Sequence, residues 1–167
     1  MRHIFRFAVA AVALSAPASA HWQYTRWGMS PEEVQAANPA LRPGIDRQNS
    51  FGGSLIRLSG SHREGGRDFI VQFGFDSENR LNTVFVEPAD PRDCRHMVAA
   101  VEARLGRDTR DSFLSELVDE RTWQDVAAGN LLHLIAIGDM PVPDHCSLRY
   151  HPPEGPGEPE RPAASET

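Results

Sequence analysis

A strict alternation of apolar and polar residues is the feature that most constrains how this chain can fold. In an extended chain, four apolar side chains separated by single residues point to the same side: Phe69, Val71, Phe73 and Phe75. A turn-forming run follows at 76–80, and the alternation then resumes. The pattern predicts an antiparallel hairpin over 68–75 and 81–87, with its aromatic face directed into the core.

Two other segments carry the signals of helices. Ser30 is a favoured N-cap, Pro31 suits the first helical position and Glu33 completes a capping box, which together predict a helix over 31–38. A second helix is expected to end at Gly106, a typical C-cap residue. Its apolar stripe has helical spacing: Cys94, Met97, Val98, Val101 and Leu105.

Further strands are expected on both sides of the second helix. The alternation and the turn residues predict strands over 55–58, 121–126, 131–137 and 146–150. Residues 60–66 are polar and rich in glycine, which predicts a loop. Residues 113–118 fit either a strand or a helical turn.

The elements therefore follow the order helix, three strands, helix, three strands. Neither half is large enough to bury its own apolar face, so we expect one α+β domain. Its predicted architecture is a two-layer sandwich, in which an antiparallel sheet carries both helices on one face. The same order also fits tandem α-β-β-β units, although the identity between the halves is too faint to decide.

The first 20 residues have the pattern of a cleaved export signal. Basic residues precede a short apolar run, and residues 18–20 form an Ala-Ser-Ala cleavage site; residues 16–18 are a weaker candidate because they contain a proline. Cleavage after Ala20 predicts a mature chain that begins at His21 and lies in the periplasm or outside the cell. The apolar run is too short to span a bilayer, and we expect no transmembrane segment in the mature chain.

The remaining sequence divides into a folded part and a tail. Residues 21–151 are expected to form a single domain, whereas 152–167 are rich in proline and glutamate and are expected to be disordered. A proline-rich docking ligand is the alternative for this tail. After cleavage, 15 arginines stand against 23 acidic residues, and this acidic balance argues against nucleic acid as a partner.

The chain contains two cysteines, Cys94 and Cys146. Export would place them in an oxidising compartment, where a pair of thiols tends to form a disulfide. Their spacing does not match a zinc motif, and two thiols alone rarely hold a metal. We therefore expect a structural disulfide that joins the second helix to the last strand.

Several short motifs resemble those of small exported bacterial proteins. They are the Trp-Gly-Met-Ser-Pro-Glu-Glu-Val opening at 27–34, the hairpin from Phe73 to Val84, the pair Leu105-Gly106, the Trp123 strand and Cys146-x-Leu148-x-Tyr150. These proteins resemble the fold shared by the small outer-membrane-assembly lipoproteins and the β-lactamase inhibitory protein. The resemblance covers residues 22–151 and implies an α+β fold. The chain differs from the assembly lipoproteins in lacking their lipidated cysteine.

His21 is the one candidate metal ligand. As the first residue of the mature chain, it could bind Cu(II) through its α-amine and its imidazole. Such a site needs a second histidine, and His133 and His145 are the nearest in type. The alternative is an ordinary terminus that carries a histidine, and His133 is itself more typical of a strand residue with a satisfied side chain.

Three aromatic residues near the mature terminus are candidates for an interaction patch: Trp22, Tyr24 and Trp27. Packing of these rings against the edge of the sheet is the alternative. Trp27 and Trp123 are expected to be structural. No sequence motif of a nucleophile elbow or a phosphate loop occurs, and neither a catalytic residue nor a cofactor is predicted.

The leading functional hypothesis is therefore a non-enzymatic envelope protein. It would bind an envelope or secreted protein through its sheet face or its N-terminal aromatic residues, as an assembly-associated module. The alternatives are a periplasmic copper-binding protein that uses His21 and an inhibitor of a secreted enzyme. The inhibitor hypothesis depends on analogy of fold alone.

Overall fold

The computed structural model describes residues 22–44, 53–108, 110–115, 117–139 and 142–153. The helices are α1 (Pro31–Ala37) and α2 (Cys94–Leu105), and a short 3-10 turn, Pro91–Asp93, precedes α2. The strands are β1 (Arg42–Pro43), β2 (Leu55–Glu64), β3 (Arg67–Phe75), β4 (Leu81–Pro88), β5 (Arg110–Ser115), β6 (Val118–Asp125), β7 (Asn130–Ile137) and β8 (His145–His151). The predicted signal peptide, and the predicted tail beyond residue 153, lie outside the described residues.

The strands form one antiparallel sheet in the order β1-β2-β3-β4-β8-β7-β6-β5. Its central pair is β4 with β8, in which Val84 lies opposite Tyr150 and Val86 lies opposite Leu148. An antiparallel sheet with two helices is an α+β fold, so this part of the prediction is confirmed.

Helix α1 begins as the sequence predicts. The side-chain oxygen of Ser30 accepts a hydrogen bond from the Glu33 backbone nitrogen at 3.3 Å, and the Glu33 carboxylate accepts one from the Ser30 nitrogen at 2.8 Å. This reciprocal capping box provides acceptors for two backbone N–H groups that have no partner within the helix. Val34 is fully buried, and it fixes the short helix to the core.

The first hairpin is longer than the sequence predicts. Strand β2 continues to Glu64, which pairs with Arg67 of β3, so the predicted loop over 60–66 is wrong. Only Gly65 and Gly66 turn the chain, at φ angles of 56° and 77°. Two glycines with positive φ suit a tight two-residue hairpin turn, and the polar residues before them are tolerated because this end of the hairpin is largely exposed.

The other strands agree with the alternation. The hairpin of β3 and β4 and the hairpin of β6 and β7 both form, and β8 covers the predicted last strand. The segment over 113–118, which the sequence leaves open, contributes to β5 and to the start of β6.

One row of side chains crosses six strands and defines what we call the core face of the sheet: Leu58, Phe73, Val84, Tyr150, Leu132 and Trp123. Phe73, Val84 and Leu132 have no solvent exposure. They share one apolar cluster with Val34 of α1 and Val98 of α2. Burial of this cluster is the main source of stability in a domain of this size.

Cys94 and Cys146 form a disulfide, as the sequence predicts, with their Cα atoms 6.0 Å apart. Cys94 is the first residue of α2, and Cys146 lies in β8. Both residues are buried in the apolar cluster, so the bond joins the helix to the central region of the sheet.

Trp123 connects α2 to the sheet in a second way. Its indole nitrogen donates a hydrogen bond to the carbonyl oxygen of Gly106 at 3.2 Å, while its ring is almost completely buried. Gly106 has a φ of 83° and directly follows α2 as its C-cap. The indole therefore satisfies a polar group at the end of the helix while it fills the core.

Candidate interaction surface and helix-side cavity

The three N-terminal aromatic residues do not form one exposed patch. Trp22 is only 7% exposed, and its ring centre lies 5.8 Å from that of Phe73 in an edge-to-face contact. The Trp22 carbonyl oxygen accepts hydrogen bonds from the backbone and the hydroxyl of Thr25, which fold this segment into a turn. Trp22 therefore packs onto the core face of the sheet.

Trp27 and Tyr24 occupy different surroundings. The Trp27 indole nitrogen donates to Oδ1 of Asn130 at 3.1 Å, and its ring packs against the apolar cluster. Tyr24 is 38% exposed, and its hydroxyl accepts a hydrogen bond from Asn38. Partial burial raises the pKa of Tyr24, and the bond with Asn38 opposes this shift. Of the three rings, Tyr24 is the one that presents substantial area to a partner.

The predicted metal ligands do not form a site in the described part of the chain. His21 lies outside the described residues, so the copper hypothesis stays a prediction. His133 lies in β7 and contacts the Glu120 carboxylate, whereas His145 is exposed at the start of β8. Among the described residues, no three histidine, cysteine, aspartate or glutamate side chains are placed to hold one metal ion.

The opposite side of the sheet, which we call the second face, carries mixed chemistry. One register row crosses six strands: Ser59, Gln72, Phe85, Arg149, His133 and Thr122. By alternation, Ile70 and Ile137 point to this face as well, and they are 44% and 43% exposed. Exposed aliphatic side chains thus lie near polar groups on the same surface.

The centre of the second face is a small polar cluster. His133 lies opposite Arg149 in the register of β7 and β8, and His133 also contacts Glu120. His151 lies two residues from Arg149 on the same side of β8. Burial lowers the pKa of His151 to about 4, and the positive charge of Arg149 adds to this shift. At neutral pH His151 is therefore uncharged.

A cavity of about 380 Å³ lies on the core-face side of the sheet. Helix α2 forms one wall, Trp22 and the far end of the β2–β3 hairpin form another, and strands β4 and β8 form the floor. Tyr150 lines the cavity, and burial raises the pKa of its hydroxyl to about 12. The hydroxyl therefore stays protonated over the physiological range of pH.

Sequence reasoning did not find this cavity. Its lining residues come from six separate segments, and the pattern within any one segment shows only which side chains point inward. Tyr150 has a sequence signal, since it alternates with Leu148 and Cys146, but that signal marks it as a core residue.

Comparison with protein-family models, with curated proteins and with solved structures finds no match to this chain. The resemblance to the assembly lipoproteins and the inhibitory protein therefore stays a prediction. Over the described residues, the helices are too short or too polar to cross a membrane.

Proposed function

We propose that this chain is an exported, non-enzymatic envelope protein that binds a protein partner through the second face of its sheet. The sequence of the first 20 residues supports export. The fold and the distribution of exposed side chains support a binding role for the second face.

The first support is the position of the helices. The side chains that α1 and α2 bury, such as Val34 and Val101, belong to the cluster on the core face. Ile56 and Phe85, which are buried on the second face, do not belong to this cluster. We infer a two-layer arrangement in which both helices cover the core face and leave the second face available to a partner.

The second support is the symmetry of the strand order. Strands β1 to β4 occupy one half of the sheet, and β5 to β8 occupy the other half in mirrored order. Each half is preceded by a helix along the chain. This arrangement favours tandem units, each a helix followed by the three predicted strands and one additional edge strand. Two such units in one sheet produce a broad second face.

The observation that carries the proposal is the composition of this face. Ile70 and Ile137 are more than 40% exposed. Polar side chains lie beside them on the same face: Gln72 is two residues from Ile70 in β3, His133 is four residues from Ile137 in β7, and Arg149 lies opposite His133. Protein interfaces combine apolar side chains with arginine and other polar groups in this way. As an assembly-associated module, the protein would bind a component of the assembly machinery. As an inhibitor, it would bind a secreted enzyme.

Site-specific photo-crosslinking in the envelope of the host cell tests the proposal. A photoreactive phenylalanine analogue is placed at Gln72 or Thr122 on the second face, and at the exposed Ala99 of α2 as the control. We expect one discrete crosslinked protein from the two positions on the second face and none from Ala99. Products that are equal at all three positions, or absent from all three, would contradict the proposal.

The identity of the crosslinked protein separates the two forms of the hypothesis. A component of the outer-membrane-assembly machinery would support an assembly-associated module. A secreted or periplasmic enzyme would support an inhibitor, and the enzyme's activity can then be measured with and without this protein.

A further inference from the structure

The cavity beneath α2 is separate from the proposed partner surface, because it lies on the other side of the sheet. Its volume of about 380 Å³ falls at the lower end of the range typical for small-molecule sites. The floor is apolar and consists of buried side chains: Phe69, Val86, Met97, Val101 and Leu148. A floor of this kind favours a ligand with an apolar body.

The Tyr150 hydroxyl gives the cavity a specific polar contact. Tyr150 is partly buried, and its hydroxyl makes no hydrogen bond with any described residue. The hydroxyl lines the cavity, and a ligand that accepts its proton would add a hydrogen bond in partly desolvated surroundings, where such a bond is stronger than in water. Because this phenol stays protonated, it acts as a donor, and the matching ligand group is an acceptor.

The charges around the hydroxyl indicate the sign of that acceptor. Arg104 and Glu64 both line the cavity, and the Glu64 side chain is 75% exposed, so water screens its charge. Asp125 is bound to one nitrogen of Arg104, and the Arg104 side chain stays half exposed at the rim. Arg67 also lines the rim, where its Nε is bound to Asp93 and one terminal nitrogen to the Gly65 carbonyl, so its other terminal nitrogen is the one left for a ligand. A carboxylate at the hydroxyl would therefore meet guanidinium groups with nitrogens left to donate.

We propose that this cavity binds a small amphipathic carboxylic acid, with its apolar body on the Met97–Val101–Leu148 floor and its carboxylate held by Tyr150 and Arg104. The acid is compact enough to enter beneath α2, and an aliphatic or an aromatic body fits the apolar floor. This site does not depend on the partner-binding function.

Methionine-methyl NMR of the mature full-length protein tests the site directly. Met97 lines the cavity, whereas Met29 does not and serves as an internal reference. We expect decanoate, 4-phenylbutyrate or both, below about 1 mM, to shift the Met97 methyl signal and to leave Met29 unchanged. The two acids distinguish an aliphatic ligand from an aromatic one. Decanol, which lacks the charge, should bind about ten-fold more weakly than decanoate or not at all.

Two variants locate the binding. Ala100 and Ala99 are both exposed on α2, but only Ala100 lines the cavity. Ala100→Trp should abolish the Met97 shift, and the matched control Ala99→Trp should keep it. Tyr150→Phe removes one hydrogen bond to the ligand and should lower the affinity for the acids about five-fold. It should not lower the stability of the free protein.

Three results would overturn the assignment. The first is that neither acid moves the Met97 signal. The second is that Ala100→Trp binds as well as Ala99→Trp. The third is that decanol binds as tightly as decanoate and Tyr150→Phe leaves the affinity of the acids unchanged.

Discussion

The indole nitrogen of Trp27 lies 3.1 Å from Oδ1 of Asn130 and joins two residues that are 103 positions apart. Asn130 is buried at the first position of β7, and Trp27 belongs to the segment before α1. This contact connects the N-terminal segment to the second half of the sheet. Trp27 therefore has a structural role, because it holds the N-terminal segment against the second half of the sheet.

Trp27→Phe should lower the free energy of unfolding by about 1–2 kcal/mol, because it leaves the buried Asn130 oxygen without this donor and trims a ring that packs on the core. Urea unfolding followed by circular dichroism measures the change. Tyr24→Phe is the control, and because Tyr24 is well exposed it should change stability by less than about 0.5 kcal/mol. Equal effects of the two substitutions would show that the Trp27 contact is not structural.

Replacement of Cys94 and Cys146 together by alanine should lower the free energy of unfolding by about 2–4 kcal/mol, since the bond constrains the unfolded chain between residues 52 positions apart. Urea unfolding with and without a reductant measures this effect. Reductant should bring the wild type to the stability of the double variant and leave the variant unchanged. A wild type that is insensitive to complete reduction would contradict the role of the bond.

His151 should make the fold less stable as the pH falls. Its pKa is about 4 in the folded protein and 6.5 in the unfolded chain, so between these values the unfolded state binds more protons. Stability therefore rises with pH through this window and is lost as the pH falls from about 6.5 towards 4. Burial is the main cause, and the charges of Arg149 and His133 add to it.

The measurement is urea unfolding of the wild type and His151→Gln at about pH 7.5 and pH 5. The wild type should lose more stability than the variant between these two values. Parallel losses in both proteins would show that His151 does not supply this pH dependence.

Mass spectrometry of the exported protein tests the localisation. The Ala-Ser-Ala sequence at 18–20 predicts a chain that begins at His21 and carries no lipid. Cleavage after residue 18 is the alternative from the second candidate site. A chain that retains Met1, or one with an acyl group, would contradict export in this form.

The sequence predicts the strands of this protein well wherever one side of a strand is buried. Phe73 and Leu132 alternate with less buried residues because each points into the same apolar cluster. The alternation ends at Leu58 although β2 continues to Glu64, because polar side chains occupy both sides of this exposed hairpin end. This part of the strand forms because its backbone pairs with that of β3. Backbone pairing by itself leaves no pattern in the sequence.

The candidate sites were less predictable than the fold. The sequence shows that the cysteines fit a bond between helix and strand, because both belong to apolar stripes. It does not show that Trp22 packs on Phe73 or that Tyr150 lines a cavity with α2, since these contacts depend on how distant segments come together. Strand order, which places β4 beside β8, determines both the cavity floor and the second face.

The most direct test of the proposed function is the affinity of the crosslinked partner for two variants of this protein. The double variant Ile70→Arg/Ile137→Arg replaces two exposed isoleucines of the second face by arginine. The control Val126→Arg introduces an arginine in the β6–β7 turn, at a residue that is 83% exposed. All three positions are exposed, so both variants should unfold at temperatures close to that of the wild type. Calorimetric titration with the purified partner should show binding at least ten-fold weaker, or about 1.4 kcal/mol, for the double variant and wild-type affinity for Val126→Arg. Equal affinity of the two variants would contradict a role for the second face in binding.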